Sequence, residues 1–323
     1  HTYMVGTIRL VMDVDVLPGN QTAGCYSHPG LWRIFDHLPR RLWPTFVRGD
    51  IAYGNDGTMD GCEERGILFL FRLRQSPKVK QLCRELQGPG ISWADAGAGW
   101  QGHETQLKLS GWSAPRRVVV LRRRKAEAPS AAQPPKLGAQ DEFEFVDESA
   151  AAQYEWSVLV TNLDYDIRAL GQLYRDRGDC ENVFDELKNQ WGWGGFTTQK
   201  MAPTKIMAGI IALVYNWWNI FCRLADPDEH MEAITSRPLL QNVIGCLAKT
   251  GGKKLIHLSA AGQDARKTGL IFQGIAEFIT SVLTATQLSP AQKWVCILNQ
   301  AYKKYFMGHR LLPTSDGAQQ LLI

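Results

Sequence analysis

The sequence predicts an α/β fold in which a strand-led first part gives way to a β-rich stretch and then to a helical half. Three observations carry this. Residues 6–16 (GTIRLVMDVDV) are β-branched and apolar, with Asp13 and Asp15 set among them, as in a central strand. Residues 90–160 hold several short runs of β-type composition. After Asn162 the apolar residues recur at helical spacing. The chain has 323 residues, more than the roughly 250–300 of a usual single core, so one large domain with an insert is expected.

In order, residues 19–29 carry turn-forming types and 31–42 have helical spacing. Residues 44–47 form a short strand running into Arg48-Gly49-Asp50, residues 60–65 are helical, and 67–74 (ILFLFRLR) are a strand. Further strands are expected at 105–109, 117–123, 142–146 and 156–161. Residues 126–140 (AEAPSAAQPPKLGAQ) have the composition of a flexible loop. Helices follow at 166–190, 203–224, 238–249 and 275–286. The expected division is a first part of the core over 1–75, an inserted β-rich subdomain over 76–155, a second part of the core over 156–225 and a helical C-terminal region over 226–323.

Composition narrows the class. A hydrophobic share of 45% and a charged share of 21% are those of an ordinary soluble protein. The formal net charge of +4 permits nucleic-acid binding without demanding it. Seven scattered cysteines with no CxxC pair argue against a disulfide framework or structural zinc and fit a reducing cytosol. The start, His1-Thr2-Tyr3-Met4, lacks the basic-then-apolar order of a signal peptide. It also lacks an initiator methionine, so an N-terminally truncated fragment is expected. The most apolar stretch, 206–224, contains Asn216, Asn219 and Arg223 and reads as a buried helix rather than a membrane span.

One segment carries more chemistry than the rest. Tyr174, Arg177, Glu181 and Lys188 are spaced 3, 4 and 7 residues apart. On one continuous helix they would share a face within about 60° of arc. A phenol, a guanidinium, a carboxylate and an ammonium on one face do not make a core stripe. They suit a phosphodiester held near an oxygen-ligated divalent cation. Taken alone, an Arg-x3-Glu pair is most often a solvated ion pair.

Tyr-x2-Arg-x3-Glu-x6-Lys resembles the signature of one large group of bacterial insertion-sequence DDE transposases, and every spacing matches. Around it, residues 160–163 (VTNL), 47–50 (VRGD) and 11–15 (VMDVD) resemble the strand before the signature helix, the second acidic block and the first. The resemblance covers about residues 8 to 225. It implies an RNase H-like catalytic core, a mixed sheet flanked by helices, with an inserted β-rich subdomain and a helical C-terminal region. It makes Asp50 and Glu181 the second and third members of an acidic triad. Asp15 is the preferred first member, with Asp13 as the alternative, because the Asp-x-Thr turn usual in the group reads Asp15-Val16-Leu17 here. Tyr174, Arg177 and Lys188 fall at DNA-contacting positions.

Three carboxylates from separate elements are also what a two-metal site needs, and Mg²⁺ (or Mn²⁺) suits such oxygen ligands. For Asp50 alone, a turn or cap role is the ordinary reading. The implied reaction is cleavage at transposon ends followed by strand transfer. Its implied partners are double-stranded DNA and a second copy of the chain, with no nucleotide cofactor, no membrane and a cytoplasmic location. A nuclease of the same fold without strand transfer, and a DNA-binding remnant without chemistry, are the competing readings.

Other features have balanced readings. The basic run 116–125 suits either a DNA grip or a charge-protected edge strand. Lys253 and Lys254 follow Gly251-Gly252, lack the order of a nucleotide loop, and are candidate phosphate contacts. Trp191, Trp193, Trp217 and Trp218 have the spacing of core aromatics or of a stacking platform. The seven His residues show no metal spacing.

Overall fold

A computed structural model describes residues 1–18, 24–125, 153–227, 230–241, 244–259, 265–306, 311–313 and 319–321. The expected loop at 126–140 and strand at 142–146 lie outside them. By compactness the chain divides into two units, residues 20–178 and residues 1–19 with 179–323. The expected division into four consecutive stretches ran along the sequence; this one returns the first residues to the C-terminal half.

The unit of residues 20–178 is built on a mixed six-stranded sheet. Taken in chain order, its strands are β3 (Phe46–Gly49), β4 (Leu68–Arg72), β5 (Ala94–Gly97), β6 (Trp100–Leu107), β7 (Arg116–Arg124) and β8 (Tyr154–Thr161), and in space they run β3-β4-β8-β7-β6-β5. Only β3 and β4 pair in parallel; every other neighbour is antiparallel. The strands expected to form a separate inserted subdomain are therefore continuous with the core sheet. Central position explains composition: Val118 to Val120 and Val158 to Val160 are wholly buried, so both faces of β7 and β8 are covered.

Helices α1 (Gly24–His37), α2 (Asp56–Arg65), α3 (Pro77–Glu85) and α4 (Ile167–Arg175) belong to this unit. Local chemistry sets their ends. Asn55 accepts from Thr58 N to start α2, and Gly66, at φ 68°, closes it. Asp166 accepts from Ala169 N at 2.7 Å to start α4. A Cβ on Gly171 would lie 2.9 Å from the Ala96 carbonyl oxygen, so glycine lets α4 settle directly on the sheet. Leu170 of α4 then joins Leu70, Ala96, Val119, Leu121, Leu159 and Leu163 in one apolar cluster. At the end of β8, Thr161 Oγ1 donates to Phe69 O at 2.6 Å and Asn162 Oδ1 accepts from Phe69 N at 2.7 Å.

The basic run 116–125 is neither an edge strand nor a free DNA grip. β7 lies between β6 and β8, and most of its arginines are engaged. Arg116, 5% exposed, meets Asp56, Asp60 and Glu63. Burial disfavours its charge, but Glu63 and Asp56 outweigh that and raise its pKa. Arg117 pairs with Glu104 and Arg123 with Glu155, and Arg122 sits 3.8 Å over the Trp93 ring.

The other unit opens with β1 (Thr2–Val5) and β2 (Leu10–Val14), an antiparallel pair. Residues 6–16 were expected as a central strand; residues 6–9 instead form the turn of this hairpin, with Arg9 at φ 54°. The remaining elements include α5 (Gly178–Gln190), α6 (Met201–Ala225), α7 (Ala233–Gln241), the hairpin β9 (Ile244–Thr250) and β10 (Lys253–Ser259), α8 (Ala265–Thr284) and α9 (Pro290–Ala301). Residues 238–249 were expected as one helix. The helix ends at Gln241 and a strand follows, because Gly251-Gly252, both at positive φ, suit a two-residue hairpin turn. α6 is long and apolar enough to cross a membrane by length and composition alone. It buries Ala208, Ala212, Tyr215, Asn219, Cys222 and Arg223 along one face, while Ile206, Ile210, Leu213 and Trp217 on the other are exposed. It was expected as a buried helix, and one face of it is.

Candidate active site

The segment read as one signature helix over 166–190 is two. Arg177 N donates to Tyr174 O at 3.1 Å, three residues back instead of four, and the α-helical ladder stops at Arg175. Tyr174 therefore ends α4, Arg177 lies in the break, and Glu181 and Lys188 ride on α5. The single four-residue face expected from the spacing does not exist. Its second half survives: Glu181 and Lys188, seven residues apart, are both exposed, while Val183 and Leu187 are buried.

The unit of residues 20–178 holds the proposed second acid and the first half of the signature, near enough for Asp50 to act electrostatically on Tyr174. Asp50 follows β3 directly, is exposed, and accepts from Ala52 N at 2.9 Å. That bond is the turn role ordinary for an Asp after a strand; it occupies one carboxylate oxygen and leaves Asp50 at the surface. Gly49 before it is required, since a Cβ there would fall 2.7 Å from the Tyr53 ring. Tyr174 packs on the core, and the Arg177 guanidinium lies 5.4 Å from its ring centroid. Burial pushes the Tyr174 phenol up; Arg177 and Arg72 pull it down, and Asp50 adds to the rise. One phenol thus feels two cations and the proposed second acid. Arg72, the last residue of β4, was missed in the sequence. Its signal was an arginine closing an otherwise apolar strand parallel to that of Asp50.

In the other unit, the proposed first and third acids stand at the hairpin and on α5. Met4 faces Val11 and Tyr3 faces Asp13, so Met12 is an extra residue, a β-bulge. The bulge brings Val14 onto the same face as Val11, packed with Val183, Leu187, Ala212 and Tyr215. Asp13 and Asp15 share the opposite face. Asp13 Oδ1 accepts from Val14 N at 2.8 Å, and Asp15 N donates to His1 O at 2.8 Å. Arg9 binds Asp179 at 2.7 Å, two residues before Glu181. Lys254 is exposed on β10, and Lys253 opens that strand.

A further acid of α5 was also missed. Glu186 is 2% exposed and accepts from Ala233 N at 3.0 Å and Trp191 Nε1 at 3.2 Å, with His230 Nε2 at 3.4 Å. Burial opposes its charge, yet these partners hold its carboxyl below the ordinary range. Its signal was present: it lies beside Val183 and Leu187 on the apolar side of the helix. Of the tryptophans, Trp191 stands edge-on to Tyr215 and Trp218. Trp217 is exposed.

A family model described as a transposase DDE domain matches residues 4–217, well over half of the chain. The chain belongs to this DDE transposase family, and its α/β core is RNase H-like. No curated protein matches it. The family implies a nuclease or transposase type of enzyme with DNA as partner, and it generally uses a divalent metal. The donor types fit such an ion, since Asp15, Asp50 and Glu181 are hard oxygen ligands. Among the described residues, however, no group of three or more His, Cys, Asp or Glu is placed to hold a metal.

Proposed function

We propose that this chain is a transposase that cleaves DNA at transposon ends and joins the freed 3′ ends to target DNA. The observation that carries the reading is the family signature together with the meeting of Asp50, Tyr174, Arg177 and Arg72 at one place. Arginines grouped around a largely buried phenol, beside an exposed carboxylate, are suited to seat a phosphodiester next to a group that needs divalent cations. Asp15, with Asp13 as alternative, joins Asp50 and Glu181 in the assigned acidic set. Tyr174, Arg177 and Lys188 contact phosphate, and Lys253 and Lys254 add point charges. Mg²⁺ is the assigned cofactor, with Mn²⁺ able to replace it; when bound it would activate water and stabilise the leaving oxygen. The chain's own part is to bind and orient the phosphodiester. Pairing of two ends calls for a homodimer, and a cytoplasmic location, with the nucleoid when bound to DNA, follows from the substrate.

The test is incubation of the chain with duplexes taken from the DNA flanking its own gene, a target plasmid and Mg²⁺. Joined products are expected, absent with EDTA and restored by Mg²⁺. Cuts without joining would favour the nuclease reading. Glu181→Gln is expected to abolish both products while binding persists; undiminished products would overturn the assignment. Lys188→Ala is expected to weaken binding and lower the salt slope by about one unit.

A further inference from the structure

We propose that Arg48 is a positioning residue: it caps the end of α4 and thereby holds Tyr174 and Arg177 beside Asp50. The importance of those two side chains rests on the function proposed above; the cap itself does not.

The argument begins with the carbonyls left over where α4 stops. In a continuing helix the Leu173 oxygen would accept from Arg177 N. Arg177 N bonds to Tyr174 O instead, so Leu173 O has lost its helical donor. Arg48 replaces it, with Nη1 2.6 Å from Leu173 O. Its Nη2 lies 2.9 Å from Asp176 O, a second carbonyl at the same terminus. A cation at a helix C-terminus is also favoured by the helix dipole. The planar guanidinium presents its two nitrogens at a fixed separation, so one side chain defines the positions of both carbonyls.

Arg48 brings the rigidity of the sheet to this end. Its backbone is in register with Leu70 of β4, and it reaches 125 residues along the chain to Leu173. Two residues further on stands Asp50. One short strand thus places the acid by its end and the helix terminus by its side chain. The end of α4 is thereby held, and Arg177 is turned onto the Tyr174 ring.

The experiment compares wild type, Arg48→Met, which keeps the stem and loses both bonds, and Arg48→Lys, which keeps the charge but not the fork. Hydrogen exchange of amides 172–178 is followed by mass spectrometry, with amides of β8 as an internal reference. Arg48→Met should speed exchange at 172–178 at least about tenfold while β8 is unmoved, with Arg48→Lys between the two. Exchange at 172–178 unchanged in both variants, or raised equally in β8, would overturn the cap. Should Arg48→Met not fold, the Arg48→Lys profile decides alone, by the same criteria. Affinity for the flanking duplex is then measured in a cycle with Tyr174→Phe. If Arg48 acts through Tyr174, its loss should cost several-fold less in the Tyr174→Phe background. Additive losses would overturn the positioning role. If Tyr174→Phe and Arg177→Gln leave DNA affinity and cleavage untouched, the proposed function fails while the exchange data still decide the cap.

Discussion

The strands that lead to the proposed first and second acids are secured by different means. β3, before Asp50, is laddered to β4, part of a six-stranded sheet, and packs Phe46 on the core cluster. Among the described residues, β2, which carries Asp13 and leads to Asp15, is sheet-bonded to its hairpin partner alone. Its other edge is met by side chains of α6. Asn216 accepts from Val11 N at 2.9 Å and donates to Val11 O at 2.7 Å, as a neighbouring strand would. Asn219 donates to Arg9 O at 3.1 Å. Main-chain ladders are cooperative and indifferent to sequence, whereas two amides are each a single point of failure. One acid is placed by architecture and the other by individual residues.

The largest effect should come from the sheet side. Gly49→Ala puts a methyl into the Tyr53 ring, and overpacking of this kind costs about 2–3 kcal/mol. Urea unfolding measures it, and loss of less than about 0.5 kcal/mol would show that the Tyr53 loop yields freely. Somewhat smaller is Asn216→Leu, which strands the Val11 N–H and C=O, at about 2 kcal/mol. The loss should stay local: exchange in residues 2–14 rises while β4 and β8 keep their protection. A uniform rise would erase the contrast drawn above.

The smallest effect concerns acid. The folded Glu186 carboxyl titrates below the ordinary glutamate value of about 4.5. Its contribution to stability is therefore complete above that value and lost as pH falls through the folded pKa. Glu186→Gln should flatten the decline of the urea midpoint below pH 4.5, at some cost near neutrality. An unaltered acid slope would show that this carboxylate does not secure α5.

Much of the fold was legible because its signals are local. β7 and β8 announce themselves by their valine-rich runs, β4 by its unbroken Leu and Phe, and α6 by its length and apolar character. Asp50 and Glu181 were singled out by the spacing of the acidic blocks and by the signature, and Asp50 indeed falls at the end of a strand beside Tyr174. The hairpin nature of residues 2–14 was hidden, since an apolar strand reads alike whether sheets or amide side chains cover its edges. So was the break after Arg175. Periodicity continues through it, and the carbonyls at the break are met by Arg48, a residue far upstream. Merging of the β-rich stretch with the core sheet is likewise a matter of long-range pairing, β4 with β8, which no local pattern encodes.

The bulge at Met12 has a bearing on how this hairpin can change length. The β2 strand carries one residue more than its partner matches, and the surplus is absorbed between Val11 and Asp13. Excising Met12 would leave Val11 and Val14 inward and both aspartates where they now point, giving a plain hairpin. A strand of the present length paired without the bulge would instead turn Asp13 toward Val183 and Leu187. Shortening is the tolerated direction here, and a copy lacking Met12 would keep its acids in step.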